Sequence, residues 1–188
     1  MQNLAYHILD IVQNAIRAKA SLIGVYIYEN DETEELKISV VDNGKGMTTG
    51  QIRRAHDPYY TSRNSRNVGL GLSLFKQNAE QTGGNFKIDS KVGKGTTVCA
   101  VFKKNHIDCP SKGDLVGTIH QLICGNTHIE FFFQYSKNRE VYKLDTGELR
   151  EILDDVPFYE PKISKYICEM IEENLREIGA LTSLGSYK

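Results

Sequence analysis

Apolar residues recur at helical spacing from Leu4 to Ala20, a stretch without Gly or Pro, and that period predicts one amphipathic helix. Asp10 and Asn14 fall four apart on one face of it, with His7 three residues earlier on the same side, because side chains at i, i+3 and i+4 share a stripe. The same period lets His7 pack against a sheet. A period of two then takes over: Val25 to Tyr28 reads as a strand, Asn30 to Glu35 as a charged hairpin turn, and Leu36 to Val41 as the antiparallel partner that Asp42 terminates. A short helix is expected at Thr49 to Ala55, a polar lid-like segment at His56 to Arg66, and a helix from Leu70 to Gln81. Strands follow at Asn85 to Ser90 and Thr96 to Phe102, joined by a turn at Val92 to Gly95.

Beyond a linker at Lys103 to Pro110, the pattern predicts a helix from Lys112 to Cys124 and strands at Ile129 to Tyr135 and Val141 to Leu144. A short helix is expected after Thr146 and a last one from Pro161 to Ile178. The order of helices and hairpins predicts an α+β sandwich, one antiparallel or mixed sheet with helices on one face, and not a doubly wound fold. Two units are expected, residues 1–104 and a small α+β unit at 105–188. Charge supports the division: the first holds 14 basic and 10 acidic residues, the second 9 and 14.

Composition narrows the function classes. The 188 residues carry a net charge of −1, so no general attraction to nucleic acid is expected. Four cysteines at 99, 109, 124 and 168 lack CxxC spacing, and no cleavable leader opens the chain, which reads as free thiols in a cytoplasmic protein. No apolar run approaches the ~20 residues that cross a bilayer, so no membrane span is expected. His120 and Cys124 are four apart, but Gly125-Asn126 ends their helix before His128 and no fourth ligand is evident, so zinc is not expected.

The chemistry concentrates between Asp42 and Leu72. Asp42-Asn43-Gly44-Lys45-Gly46-Met47 places a carboxylate and two glycines where a strand ends, and Asn67-Val68-Gly69-Leu70-Gly71-Leu72 opens a helix. A helix start carries partial positive charge, and glycines let a phosphate approach its backbone. A nucleotide site is expected, with the base near Asp42 and phosphates near Gly69 to Gly71. A carboxylate accepts from adenine's exocyclic amino group and repels a carbonyl at the same place, so ATP is preferred over GTP.

Taken with Gly95-Thr96 and the lid segment Asp57-Pro58-Tyr59-Tyr60-Thr61-Ser62-Arg63, these boxes stand in an order that resembles the Bergerat-fold (GHKL) ATPases. That superfamily includes gyrase, heat-shock chaperones, sensor histidine kinases and mismatch-repair ATPases. The resemblance covers about residues 1–104. It implies that Asn14 holds Mg²⁺ against the phosphates of ATP, and that Asp10 activates the attacking water or acceptor where most ATPase members have glutamate. It further implies that Asp42, Gly44, Gly46, Met47 and Thr96 line the base, with Thr96 sharing a water with Asp42. Val68, Gly69, Leu70, Gly71 and Leu72 then face the phosphates, and Tyr60, Thr61 and Arg63 belong to the lid.

The whole chain resembles a bacterial group of stand-alone, histidine-kinase-like ATP-binding proteins. The expected activities are phosphoryl transfer to a protein in trans, ATP hydrolysis that drives a switch, or nucleotide-gated regulation without turnover. An autophosphorylating sensor kinase is disfavoured because no phosphoacceptor helix precedes Asn14. An unidentified protein partner or substrate is implied, and a homodimer is left open.

Overall fold

The computed structural model describes residues 3–55, 70–154 and 156–181. Helix α1 (Leu4–Arg17) is capped by Asn3, whose side chain accepts the Tyr6 N–H at 3.0 Å. It buries Leu4, Ile8, Ile11, Val12 and Ala15, the stripe that its apolar period requires. Strands β1 (Leu22–Asn30) and β2 (Glu35–Asp42) form the first hairpin. Helix α2 (Thr49–Ala55), helix α3 (Leu70–Gln81) and the hairpin of β3 (Asn85–Lys91) with β4 (Gly95–Lys103) follow.

The later elements are α4 (Leu115–Gly125), β5 (Glu130–Lys137), β6 (Glu140–Asp145), α5 (Thr146–Ile152) and α6 (Pro161–Glu177). Among the described residues the strands make one six-stranded sheet in the order β3-β4-β2-β1-β5-β6. β5 runs parallel to β1 from Leu22 opposite Glu130 to Glu29 opposite Lys137, so the sheet is mixed. The strands after residue 104 therefore extend the sheet of the first unit and bury their inner face in the same core.

Alternate residues of each strand line that core: Ile23, Val25 and Ile27 of β1, Ile38 and Val40 of β2, Val98, Ala100 and Phe102 of β4, and Phe131 and Phe133 of β5 are all buried. Helices α1 and α3 lie against the sheet, α4 packs beside α1, and α6 packs on α4. Phe75 of α3 is fully buried and meets Phe102 and Phe86 at ring-centroid distances of 5.5 and 6.0 Å. Burial of one such ring contributes about 2–3 kcal/mol. The opposite sheet face carries an open trough of about 720 Å³ bordered by Tyr26, Lys37, Lys87 and Gln134. Asp42 and Thr96 share the parity of buried Val40 and Val98, so they face the helices and not this trough.

Candidate functional site

Asp42 is the last residue of β2 and pairs across the ladder with Thr96, which in turn pairs with Ser90 of β3. The three side chains form a row at one end of the helix-covered face, because residues directly opposite one another point the same way. Asp42 Oδ1 accepts the Gly44 N–H at 2.8 Å, which bends the chain straight after the strand, and the backbone of Thr96 also donates to this carboxylate. Burial pushes the Asp42 carboxyl above its ordinary value, against the pull of those two bonds.

The turn that follows is fastened on three sides. Asn43 Oδ1 accepts the N–H groups of Ser21 and Leu22 at 2.9 and 3.0 Å, and the Lys45 N–H donates to Ala18 O at 2.9 Å. The Met47 N–H reaches Ser90 Oγ at 2.9 Å. Gly46 has φ +66°, and a Cβ there would stand 2.1 Å from Lys91 O, so only glycine fits between this turn and the β3–β4 hairpin.

Helix α1 connects the turn to the start of α3. Its C-terminal cap at Ala18 touches the turn, while Asp10, eight residues earlier, rests against Gly71. Asp10 is half-buried and its carboxyl is raised by burial, with Arg17 opposing the shift. Asn14 is half-buried on the same stripe, and its Oδ1 accepts from Arg17 Nη1 at 3.3 Å. Leu72 is buried under the start of α3, and Leu70 is the first residue of that helix. Among the predicted site residues, Tyr60, Thr61, Arg63, Val68 and Gly69 lie outside the described residues, as does the whole lid segment 56–66.

His7 is fully buried and meets α3. Its ring lies 5.0 Å from that of Phe75, and Nε2 is 2.8 Å from Asn78 Nδ2. Nδ1 has no hydrogen-bond partner among the described residues, and burial lowers the imidazole to about 4, so the ring is neutral at pH 7. His120 Nε2 is held by Ser164. Among the described residues no group of three or more His, Cys, Asp or Glu is placed to hold a metal ion, and no helix is long and apolar enough to cross a membrane. Sequence reasoning missed Ser90 and Asn43, whose roles rest on bonds to residues 43 and 22 positions away. For Ser90 the signal within the chain was only a polar side chain at an inward-facing strand position, and for Asn43 an amide in the turn that follows β2.

Residues 2–106 match the family described as histidine kinase-, DNA gyrase B-, and HSP90-like ATPase. The chain belongs to this family. Its relatives include the sensor histidine kinase ZraS of Escherichia coli, 33% identical over 90 residues, which cover 48% of this chain and 19% of that protein. Sporulation kinase E of Bacillus subtilis is 30% identical over 89 residues, covering 47% and 12%. The chain thus spans less than a fifth of the length of these two kinases.

Among solved structures, the Aquifex aeolicus MutL ATPase domain complexed with ADP shares the fold with TM-score 0.50 at 17% identity, over 82% of this chain and 68% of that one. The N-terminal domain of a DNA repair protein does so with TM-score 0.52 at 17% identity, over 77% and 53%. Membership in the ATPase family implies that this chain binds ATP.

Proposed function

We propose that the chain binds Mg-ATP between α1, the 42–47 turn and the start of α3, and passes the γ-phosphoryl group to a protein acceptor or to water. The observation that carries this is the placement of Asp10 against Gly71 at the start of α3, on the same helix whose end meets the Asp42 turn. One rigid helix then spans the distance from base to outer phosphate. Adenine's amino group is read by Asp42, with Thr96 beside it. The backbone of Gly69 to Gly71 receives the α- and β-phosphates, and Arg63 of the lid approaches the outer one. Asp10, the carboxylate beside that end, accepts the proton of the attacking group.

Asn14 suits magnesium. Its amide oxygen is a hard donor, half-buried, and holds only a 3.3 Å bond from Arg17. Mg²⁺ commonly takes one or two protein oxygens and completes its shell with phosphates and water, so a single amide oxygen is a sufficient protein contribution. When bound, the ion neutralises phosphate charge.

The second reading is an ATP-responsive regulator that does not hydrolyse. It is favoured by the aspartate at position 10, one methylene shorter than the usual glutamate and seated against the α3 backbone. Nucleotide titration joined to a phosphate-release assay separates the two. Tight ATP binding with release that vanishes in Asp10→Asn supports turnover, and tight binding without release supports the regulator. Asp42→Asn is expected to weaken ATP about tenfold, and Asn14→Ala to abolish the gain in affinity that Mg²⁺ brings. Equal affinity of the parent for ATP and GTP would sink the assignment of the base.

A further inference from the structure

Resting on the nucleotide site proposed above, we infer that Ser90 is a positioning residue for base recognition, which accepts the hydrogen bond of the Thr96 hydroxyl and leaves Thr96 an acceptor beside Asp42. Ser90 Oγ lies 2.9 Å from each of three atoms: Met47 N, Gly95 O and Thr96 Oγ1. A serine hydroxyl has one proton and two lone pairs. The Gly95 carbonyl can only accept, so it takes the proton. The Met47 amide can only donate, so it fills one lone pair. The remaining lone pair faces Thr96 Oγ1, and the Thr96 hydroxyl therefore donates to Ser90.

With its single proton spent, Thr96 presents lone pairs alone. Asp42, its partner across the ladder, is a carboxylate and likewise only accepts. The end of the cleft is thus a wall of acceptors. An exocyclic amino group with two hydrogens satisfies such a wall, whereas a ring carbonyl sets lone pair against lone pair. Without Ser90 the Thr96 hydroxyl is free to rotate, and its proton becomes available to a carbonyl. Rejection of guanine then weakens, although no atom that touches the base has changed.

The test is calorimetric titration of the full chain, as parent, Ser90→Ala and Ser90→Thr, with ATP, GTP and inorganic tripolyphosphate in the presence of Mg²⁺. Ser90→Ala is expected to lower the ATP-to-GTP affinity ratio about fivefold, the worth of about one hydrogen bond. Its affinity for tripolyphosphate stays within about twofold of the parent's, since the phosphates lie away from Ser90, and Ser90→Thr restores the ratio. An unchanged ratio in Ser90→Ala overturns the inference, as does an equal loss for all three probes, which marks Ser90 as only a brace for the turn. If Ser90→Ala does not fold, Thr96→Val decides: it removes the acceptor directly, and an unchanged ratio there overturns the inference too. A parent that binds no nucleotide removes the proposed site as well, whereas a parent that prefers ATP beside an unaltered Ser90→Ala removes only the role of Ser90.

Discussion

Asp10 and Gly71 are in direct opposition: a Cβ built on Gly71 would lie 2.9 Å from Asp10 Oδ2 and 3.0 Å from Asp10 Cβ. The absence of a side chain at Gly71 is what allows the α1 carboxylate to reach the first turn of α3. Helix propensity and site geometry therefore pull in opposite directions at this position. Gly71→Ala is expected to hold or raise stability, since alanine favours a helix by up to about 1 kcal/mol, while displacing Asp10 and, if the proposed phosphoryl transfer is the chain's activity, lowering it about tenfold. Urea unfolding and γ-labelled ATP turnover on the same preparation check this. A variant that loses stability and activity together would show that Gly71 serves packing alone.

Acid sensitivity follows from two buried groups with separate windows. His7 is held neutral, with its imidazole lowered from 6.5 to about 4 by burial, so the unfolded chain takes up the proton first. Stability from this source is full above pH 6.5 and drains as the pH falls toward 4, by about 2 kcal/mol between pH 6.5 and 4.5. His7→Leu is expected to flatten that slope in urea denaturation series. A parallel slope in parent and variant would assign the loss elsewhere.

Glu29 acts in the lower window. Burial alone raises its carboxyl, but bonds from Lys112, Tyr135 and Lys104 outweigh burial and bring it from 4.5 down to about 2. Its contribution is present above pH 4.5 and is lost as the pH falls toward 2. The residue is 2% exposed, and its carboxylate takes Lys112 Nζ at 2.6 Å, Tyr135 Oη at 2.5 Å and Lys104 Nζ at 2.9 Å. Lys112 also donates to Ala180 O at 2.7 Å, while the carbonyls of Ser111 and Lys112 accept the N–H groups of Leu4 and Ala5 at 2.9 and 3.0 Å. One carboxylate thus joins the end of β1, the chain after β4, the start of α1 and, through Lys112 and Ala180, the segment that follows α6. Glu29→Gln is expected to cost about 3 kcal/mol and to speed amide exchange at Leu4 and Ala5. Exchange at those two amides equal to the parent's would disconnect the cluster from α1.

The local patterns of the chain determined a great deal. A period of 3.6 over Leu4 to Ala20 and a period of two over Leu36 to Val41 specify elements by contacts within a few residues, and both elements are present in the structure, the helix ending at Arg17 rather than Ala20. The glycines at 44 and 46 likewise announce their turn, and that at 71 the start of a helix, because backbone demands are local. Only the tertiary structure decided that β5 lies parallel to β1, which joins the second unit's strands to the sheet of the first. It also decided that His7 meets α3, that Ser90 holds Met47 and Thr96, and that Glu29, read from the sequence as lying between a strand and its turn, is a buried hub. Each of those bonds closes over a separation the pattern cannot register: 43 residues for Ser90 to Met47, 71 for His7 to Asn78, 106 for Glu29 to Tyr135. Periodicity reports which side of an element is apolar, whereas the partner of an inward polar group is set by how whole elements pack.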